Sequence, residues 1–261
     1  MNNYPKKHLG QHFLKSKTAL TKIISAATLS PADTVLEIGP GKGALTKEIL
    51  ATGAQVVAIE KDKELIKHLT SIFSPQITSK HLKIISGDAL TFDPNKEPRL
   101  KKGYKIVANI PYYITGQFFR LFLQQKNQPA LIVVLIQKEV AKRIIAANNK
   151  ESILSISIKA YGQPHYEKTI PAGAFSPPPK VDSAILKIDN ISKLFFDDKQ
   201  NEKEFFTILK QGFSGKRKQL KNNLNLSPEI MIGGNIKPLS RAEDLTISQW
   251  QYLVQKLQSK K

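Results

Sequence analysis

Thr34-Val35-Leu36-Glu37-Ile38-Gly39-Pro40-Gly41-Lys42-Gly43-Ala44 opens as a short apolar run, breaks on Gly39, Gly41 and Gly43, and leads into a helix expected from Ala44 to about Thr52. A strand that turns on glycines into a helix reads as the first unit of an α/β sheet. Without side chains the backbone can turn tightly there and approach a ligand closely at the helix start. Working outward, the same rhythm recurs. Residues 55–59 form a second strand ending at the acid Glu60, and Leu65, Ile66, Leu69 and Ile72 give residues 62–73 a helical period. Strands are expected at 82–85, before Gly87 and Asp88, at 104–108 and at 130–136, with helices at 116–125 and 138–147 flanking the last. Upstream, Leu20, Ile23, Ile24 and Ala27 mark an amphipathic helix that Ser30 and Pro31 stop. Alternating short strands and amphipathic helices specify a parallel, doubly wound sheet, because right-handed crossovers cover both faces.

Further on the pattern changes. In 152–161 the alternation Leu154, Ile156, Ile158 fits a strand, while the sheet rhythm leaves room for a helix; both readings stand. Residues 166–170 and 183–188 read as strands joined by the proline-rich loop 171–180 without a crossover helix, which makes an antiparallel edge. After a polar connection, Phe205, Phe206, Leu209 and Phe213, then Leu220 and Leu224, then Ile247, Trp250, Leu253, Val254 and Leu257 give a small all-helical domain. The expected domains are therefore 1–190, with a polar amino-terminal arm over 4–17, and 191–261.

Composition narrows the function. Forty Lys and Arg against 21 Asp and Glu give a net charge of +19, and the basic excess persists on both sides of residue 190. Such an excess favours a polyanionic partner, nucleic acid above all. The absence of cysteine excludes disulfides and thiolate metal sites and is compatible with a reducing cytoplasm. No metal-ligand pattern appears, His68, His81 and His165 lack partners at ligand spacing, no apolar stretch reaches bilayer length, and no secretory signal is expected.

The residues that could carry chemistry fall at expected strand ends. Gly39-x-Gly41-x-x-Ala44 fits a dinucleotide fingerprint, and Glu60, placed to accept from ribose hydroxyls, is shared by NAD and S-adenosylmethionine sites. An NAD oxidoreductase is thus a rival. Glu37 tilts the choice, since an acid before the first glycine would repel a pyrophosphate yet suits a cationic ligand. Asp88 is placed either to accept from an adenine amino group or to form an Asx turn. Asn109-Ile110-Pro111-Tyr112-Tyr113 ends the fourth strand with an amide acceptor, a rigid proline and a stacking face, a set suited to gripping a flat ring and its exocyclic amine. Phe175, in the proline-stiffened loop, is expected to face the other side of that ring. Lys216, Arg217, Lys218 and Lys221 are expected on one basic helix face suited to phosphates.

Six stretches in this order and spacing carry a resemblance: Gly-Gln-His-Phe-Leu at 10–14, Glu-Ile-Gly-Pro-Gly-Lys-Gly-Ala-Leu-Thr at 37–46, Gly-Asp-Ala at 87–89, Asn-Ile-Pro-Tyr-Tyr at 109–113, Phe-Ser-Pro-Pro-Pro-Lys-Val-Asp-Ser at 175–183 and Lys-Arg-Lys-Gln-Leu-Lys-Asn-Asn-Leu at 216–224. Together the sequence resembles the ribosomal RNA adenine dimethyltransferases of the small subunit, nearly end to end. The resemblance implies a Rossmann-like class I S-adenosylmethionine-dependent methyltransferase sheet with a helical appendage. It also implies transfer of four methyls to two adjacent adenines near the 3′ end of small-subunit rRNA in an assembling 30S particle. By the same likeness His12 and Leu14 close the cofactor site, Gly39 backs the methionine moiety, Gly41 is a further cofactor-binding residue, Glu60 holds the ribose, Asp88 the adenine, and Asn109 stands at the methyl-transfer point. His12 stands where many relatives have Asn, and Ile110 replaces the commoner Leu. A cytoplasmic monomer with no membrane or metal partner is expected. The alternatives are a large-subunit rRNA dimethyltransferase of the antibiotic-resistance type and a noncatalytic assembly or transcription factor.

Overall fold

The computed structural model describes residues 10–101, 103–196 and 198–258; the expected arm before residue 10 lies outside them. Strands and helices alternate from the start: β1 (Phe13–Leu14), α1 (Lys17–Ala27), β2 (Thr34–Ile38), α2 (Ala44–Ala51), β3 (Gln55–Glu60), α3 (Lys63–Ile72), α4 (Ser74–Thr78), β4 (Leu82–Ser86), β5 (Lys105–Asn109), α5 (Thr115–Gln124) and β6 (Leu131–Gln137). Then come α6 (Lys138–Ile144), α7 (Ile153–Lys159), β7 (Gln163–Ile170), β8 (Phe175–Ser176) and β9 (Ser183–Asp189), and finally α8 (Lys199–Gly212), α9 (Leu220–Leu224), α10 (Pro228–Gly233) and α11 (Ile247–Gln258).

Seven strands form one sheet in the order β4-β3-β2-β5-β6-β9-β7. The β2, β3, β4, β5 and β6 pairings are parallel, β9 runs antiparallel to β6, and β7 lies beside β9 at the sheet edge. Central strands buried on both faces need unbroken apolar runs rather than alternation, and Ile106, Val107 and Ala108 on β5 and residues 132–136 on β6 are fully buried. Because β2 lies between β3 and β5, successive connections leave its two edges in opposite directions. Ligands bind outside the carboxyl ends of strands at such a switch point.

The chain divides into two compact units, one of residues 1–141 and 164–191 and the other of 142–163 and 192–261. This corrects the boundary expected at 190. Of residues 152–161, Ile153–Lys159 are helical, with a reciprocal Ser152–Ser155 capping box that satisfies the first turn of α7. Tyr161, just past α7, packs on Phe196 and Phe206, with ring centroids 5.2 and 6.0 Å away. The segment therefore belongs to the helical core, where Phe205, Leu209, Leu220, Trp250 and Leu253 are buried.

The basic run is corrected as well. Helix α8 stops at Gly212, Lys218 N–H closes a turn on the Gly215 carbonyl, and only Lys221 of the four cations lies on a helix. Asn223 holds this turn by donating to the carbonyls of Gly212 and Gly215. Lys216, Arg217 and Lys218 thus sit on a turn rather than a helix face.

In the glycine turn, Gly43 has φ +83°, and an added Cβ would lie 2.6 Å from Phe73 Cε2. Left-handed strain and overpacking act together here. Gly43→Ala is expected to destabilise the protein by roughly 2 to 4 kcal/mol, read as a lowered denaturation midpoint.

Candidate active site

The carboxyl ends of β2, β3, β4 and β5 open into one cavity, lined by Glu37, Gly39, Gly41, Glu60, Asp88, Asn109, Pro111 and Tyr112, and covered by residues 10–14. Every cofactor residue expected from the sequence, His12 and Leu14 included, lines it. Phe13, Gln11, Lys61 and Tyr113 line it too. Gln11, Phe13 and Tyr113 fall inside the quoted motifs without a role of their own, and no sequence signal marks Lys61.

That cover is fixed at several points. Strand β1 pairs antiparallel with β8, Phe13 opposite Ser176 and Leu14 opposite Phe175. Phe13 lies against Gly41, where an added Cβ would be 2.9 Å from its Cδ1, and Lys42 Nζ sits 5.0 Å from the ring centroid. Gln11 Nε2 donates to Asp62 Oδ2 at 3.1 Å. Asn109 Nδ2 donates to the His12 carbonyl at 3.0 Å, so the amide is held with Oδ1 as its acceptor. Tyr113, 65% exposed, rests on Gly10, 3.4 Å from where a Cβ would stand.

The acids differ in state. Glu37 is 1% exposed, and its Oε2 has no hydrogen-bond partner. Burial pushes its carboxyl up to about 8, the Glu60 charge adding to this and the Thr46 hydroxyl pulling the other way. Burial also raises Glu60, against the N–H groups of Asp62, Gly41 and Lys61 that donate to its two oxygens at 2.9, 3.2 and 2.8 Å. Asp88 is lowered, chiefly by Lys61, whose Nζ is 2.9 Å from Oδ2, while Oδ1 accepts from Leu90 N–H. The Asx turn and the cavity-facing acid are thus one arrangement. An orphaned buried carboxylate oxygen beside a glycine bend fits a ligand bearing positive charge. Once ionised it would disfavour a pyrophosphate, which weighs against the NAD reading.

Phe175 does not fit its expectation. It is 1% exposed, takes part in the apolar cluster with Leu14, Leu20 and Ile23, and does not line the cavity. Pairing of β8 with β1 turns its ring into the core, so it presents no open face.

The model for the family described as ribosomal RNA adenine dimethylase matches residues 2–259. The chain belongs to the ribosomal RNA adenine dimethylase family. Its relatives include the ribosomal RNA small subunit methyltransferase A of Dehalococcoides mccartyi strain CBDB1, 42% identical over 256 residues, covering 95% of this chain and 87% of the relative. The protein of the same name from Acaryochloris marina is 37% identical, covering 94% of each. Among solved structures, a dimethyladenosine transferase from Plasmodium falciparum superposes with a TM-score of 0.79 at 25% identity, covering 95% of this chain and 98% of that one. The 23S rRNA methyltransferase ErmE gives 0.78 at 23% identity, covering 94% and 99%, and shows the fold alone. This dimethylase is therefore a class I methyltransferase that uses S-adenosylmethionine, and its sheet is the one the sequence implies. Among the described residues no helix is long and apolar enough to cross a membrane.

Proposed function

We propose that this enzyme dimethylates N6 of two adjacent adenosines near the 3′ end of small-subunit rRNA, in an assembling 30S particle, as a cytoplasmic monomer. The observation that carries the reading is near-full-length identity of 37–42% to proteins named ribosomal RNA small subunit methyltransferase A. A net charge of +19 supports an RNA partner.

The residues divide the work. Gly39 and Gly41 would let the cofactor's methionine part lie on the bend, with Glu37 meeting its positive charge. Glu60 would hold the ribose and Asp88 the adenine. Bound there, S-adenosylmethionine supplies a methyl group on a sulfonium. Asn109 Oδ1 and a neighbouring main-chain carbonyl would accept both hydrogens of the target amine, localising a lone pair otherwise delocalised into the ring and aiming it at that methyl. Pro111's carbonyl already accepts from Ile114 N–H at 3.2 Å, which favours Ile110's. Pro111, at φ −57° and ψ 134°, sets the turn between that carbonyl and Tyr112. Tyr112 would stack on the base. The proton leaving N6 becomes acidic only as the new bond forms, so no general base need act first.

Labelled methyl transfer to unmethylated small and large subunits, followed by nucleoside analysis, tests the reading. Dimethyladenosine in the small subunit is expected; label confined to the large subunit would move the enzyme to the resistance class, and label in neither would return the noncatalytic reading. Lys216, Arg217, Lys218 and Lys221 would contact rRNA phosphates. Replacing the first three with alanine is expected to weaken subunit binding and reduce the salt slope by about 1 per lost phosphate contact, with cofactor affinity unchanged.

A further inference from the structure

Phe175 is buried and does not line the cavity, so the second stacking face expected from it must come from another residue if the base is to be gripped on both sides. One ring is placed to fill that role. The imidazole of His12 and the phenol ring of Tyr112 lie within 20° of parallel, with centroids 6.1 Å apart. A base between two rings needs roughly 7 Å, two contacts of about 3.5 Å each. Parting them by about 1 Å would admit one.

Both rings are held from outside, one by the proline-rich loop and the other by the first residue of β9. His12 Nδ1 donates to the Pro177 carbonyl at 2.8 Å, and the Tyr112 hydroxyl meets Ser183 Oγ at 2.7 Å. The stiff 175–183 segment thus fixes the tilt of two aromatic planes and puts Phe175 into the core beneath them. Tyr113 lies against Gly10, and it is the His12 ring that stands parallel to Tyr112. Asn109, the amide that would grip the amine, donates to the carbonyl of His12 itself. The proposed acceptor and the second ring are therefore joined through one residue.

We propose that His12 supplies the second stacking face for the extruded adenine, opposite Tyr112, and that Pro177 and Ser183 serve to hold these two rings. The proposal rests on the reading of residues 109–112 as the target-base grip. Stacking by a side chain is separable here from anchoring by a main chain, since His12→Ala keeps the carbonyl that orients Asn109.

The test uses small subunits reconstituted with 2-aminopurine at a target adenosine, the full-length enzyme and saturating S-adenosylhomocysteine. Quenching of the 2-aminopurine is expected with the parent and with His12→Phe, and most of it should be lost with His12→Ala. In parallel, kcat/KM for unmethylated subunits should fall roughly 5- to 150-fold in His12→Ala and recover in His12→Phe. Unchanged quenching in His12→Ala while Tyr112→Ala abolishes it would overturn the proposal and leave the base grip standing. A defect confined to cofactor affinity, with quenching retained at saturation, would overturn it likewise. Should neither variant alter the quenching, the base lies elsewhere, and the reading of residues 109–112 fails with it.

Discussion

Asn109→Ala is expected to lower kcat for adenine dimethylation by about 10²- to 10³-fold, the size seen when one aimed acceptor or donor is removed from a developing charge. The amide sits at the carboxyl end of β5 and is oriented by its 3.0 Å bond to the His12 carbonyl. Alanine removes the acceptor for one amine hydrogen and this orienting bond together. Asn109→Asp separates them, because a carboxylate accepts but cannot donate to a carbonyl, so it should be slow as well and bind the cover less firmly. Single-turnover labelled transfer at saturating cofactor is the measurement. Cofactor affinity, read from thermal stabilisation, should change far less than kcat. A variant that methylates at the parental rate would remove the amide from the mechanism.

Glu37→Gln has the second large effect, and its two readouts move in opposite directions. A carboxyl held at about 8 in the folded protein, against an ordinary 4.5, keeps its proton where the unfolded chain has lost it. Stability from this group is fully present below pH 4.5, declines as pH rises between 4.5 and about 8, and is gone above that. The difference amounts to roughly 5 kcal/mol, and glutamine, which cannot ionise, escapes it. Without cofactor, Glu37→Gln should therefore melt higher than the parent at pH 8 to 9, the gap closing towards pH 4.5. A positively charged ligand favours the ionised carboxylate, so cofactor binding below pH 8 should displace a proton, and affinity should rise with pH up to about 8. Calorimetry in buffers of different ionisation enthalpy measures both. In Glu37→Gln the cofactor should bind more weakly and without this pH dependence; equal affinity and equal proton release would exclude Glu37 from the site.

How far the sequence could be read depended on how local each signal was. Strand runs such as 34–38 and 55–59 are buried on both sides by their own neighbours in the sheet, so apolar composition sufficed. Gly39, Gly41, Glu60, Asp88 and Asn109 were legible because parallel strands bring their carboxyl ends together whatever the details. Phe175 misled: an aromatic among prolines reads as exposed, and its burial depends on β8 pairing with a two-residue strand 161 residues earlier in the chain, Leu14 against Phe175. Residues 152–161 stayed open between strand and helix for a different reason: the cap of α7 is Ser152–Ser155 rather than the usual acid at the third position. The basic run followed a helical spacing that Gly212 and Gly215 interrupt. His12 was visible only as a residue of the cover; its ring plane against Tyr112 is a matter of tertiary geometry.

The claim under all of this is that the β5 amide faces the donor lodged on the glycine bend, and a crystal structure with S-adenosylhomocysteine addresses it most directly. The ligand is expected to lie on Gly39 and Gly41, with its ribose at Glu60 and its sulfur facing Asn109 Oδ1 and the Ile110 carbonyl. An empty bend, or a sulfur directed away from an Asn109 side chain turned out of the cavity, would contradict it.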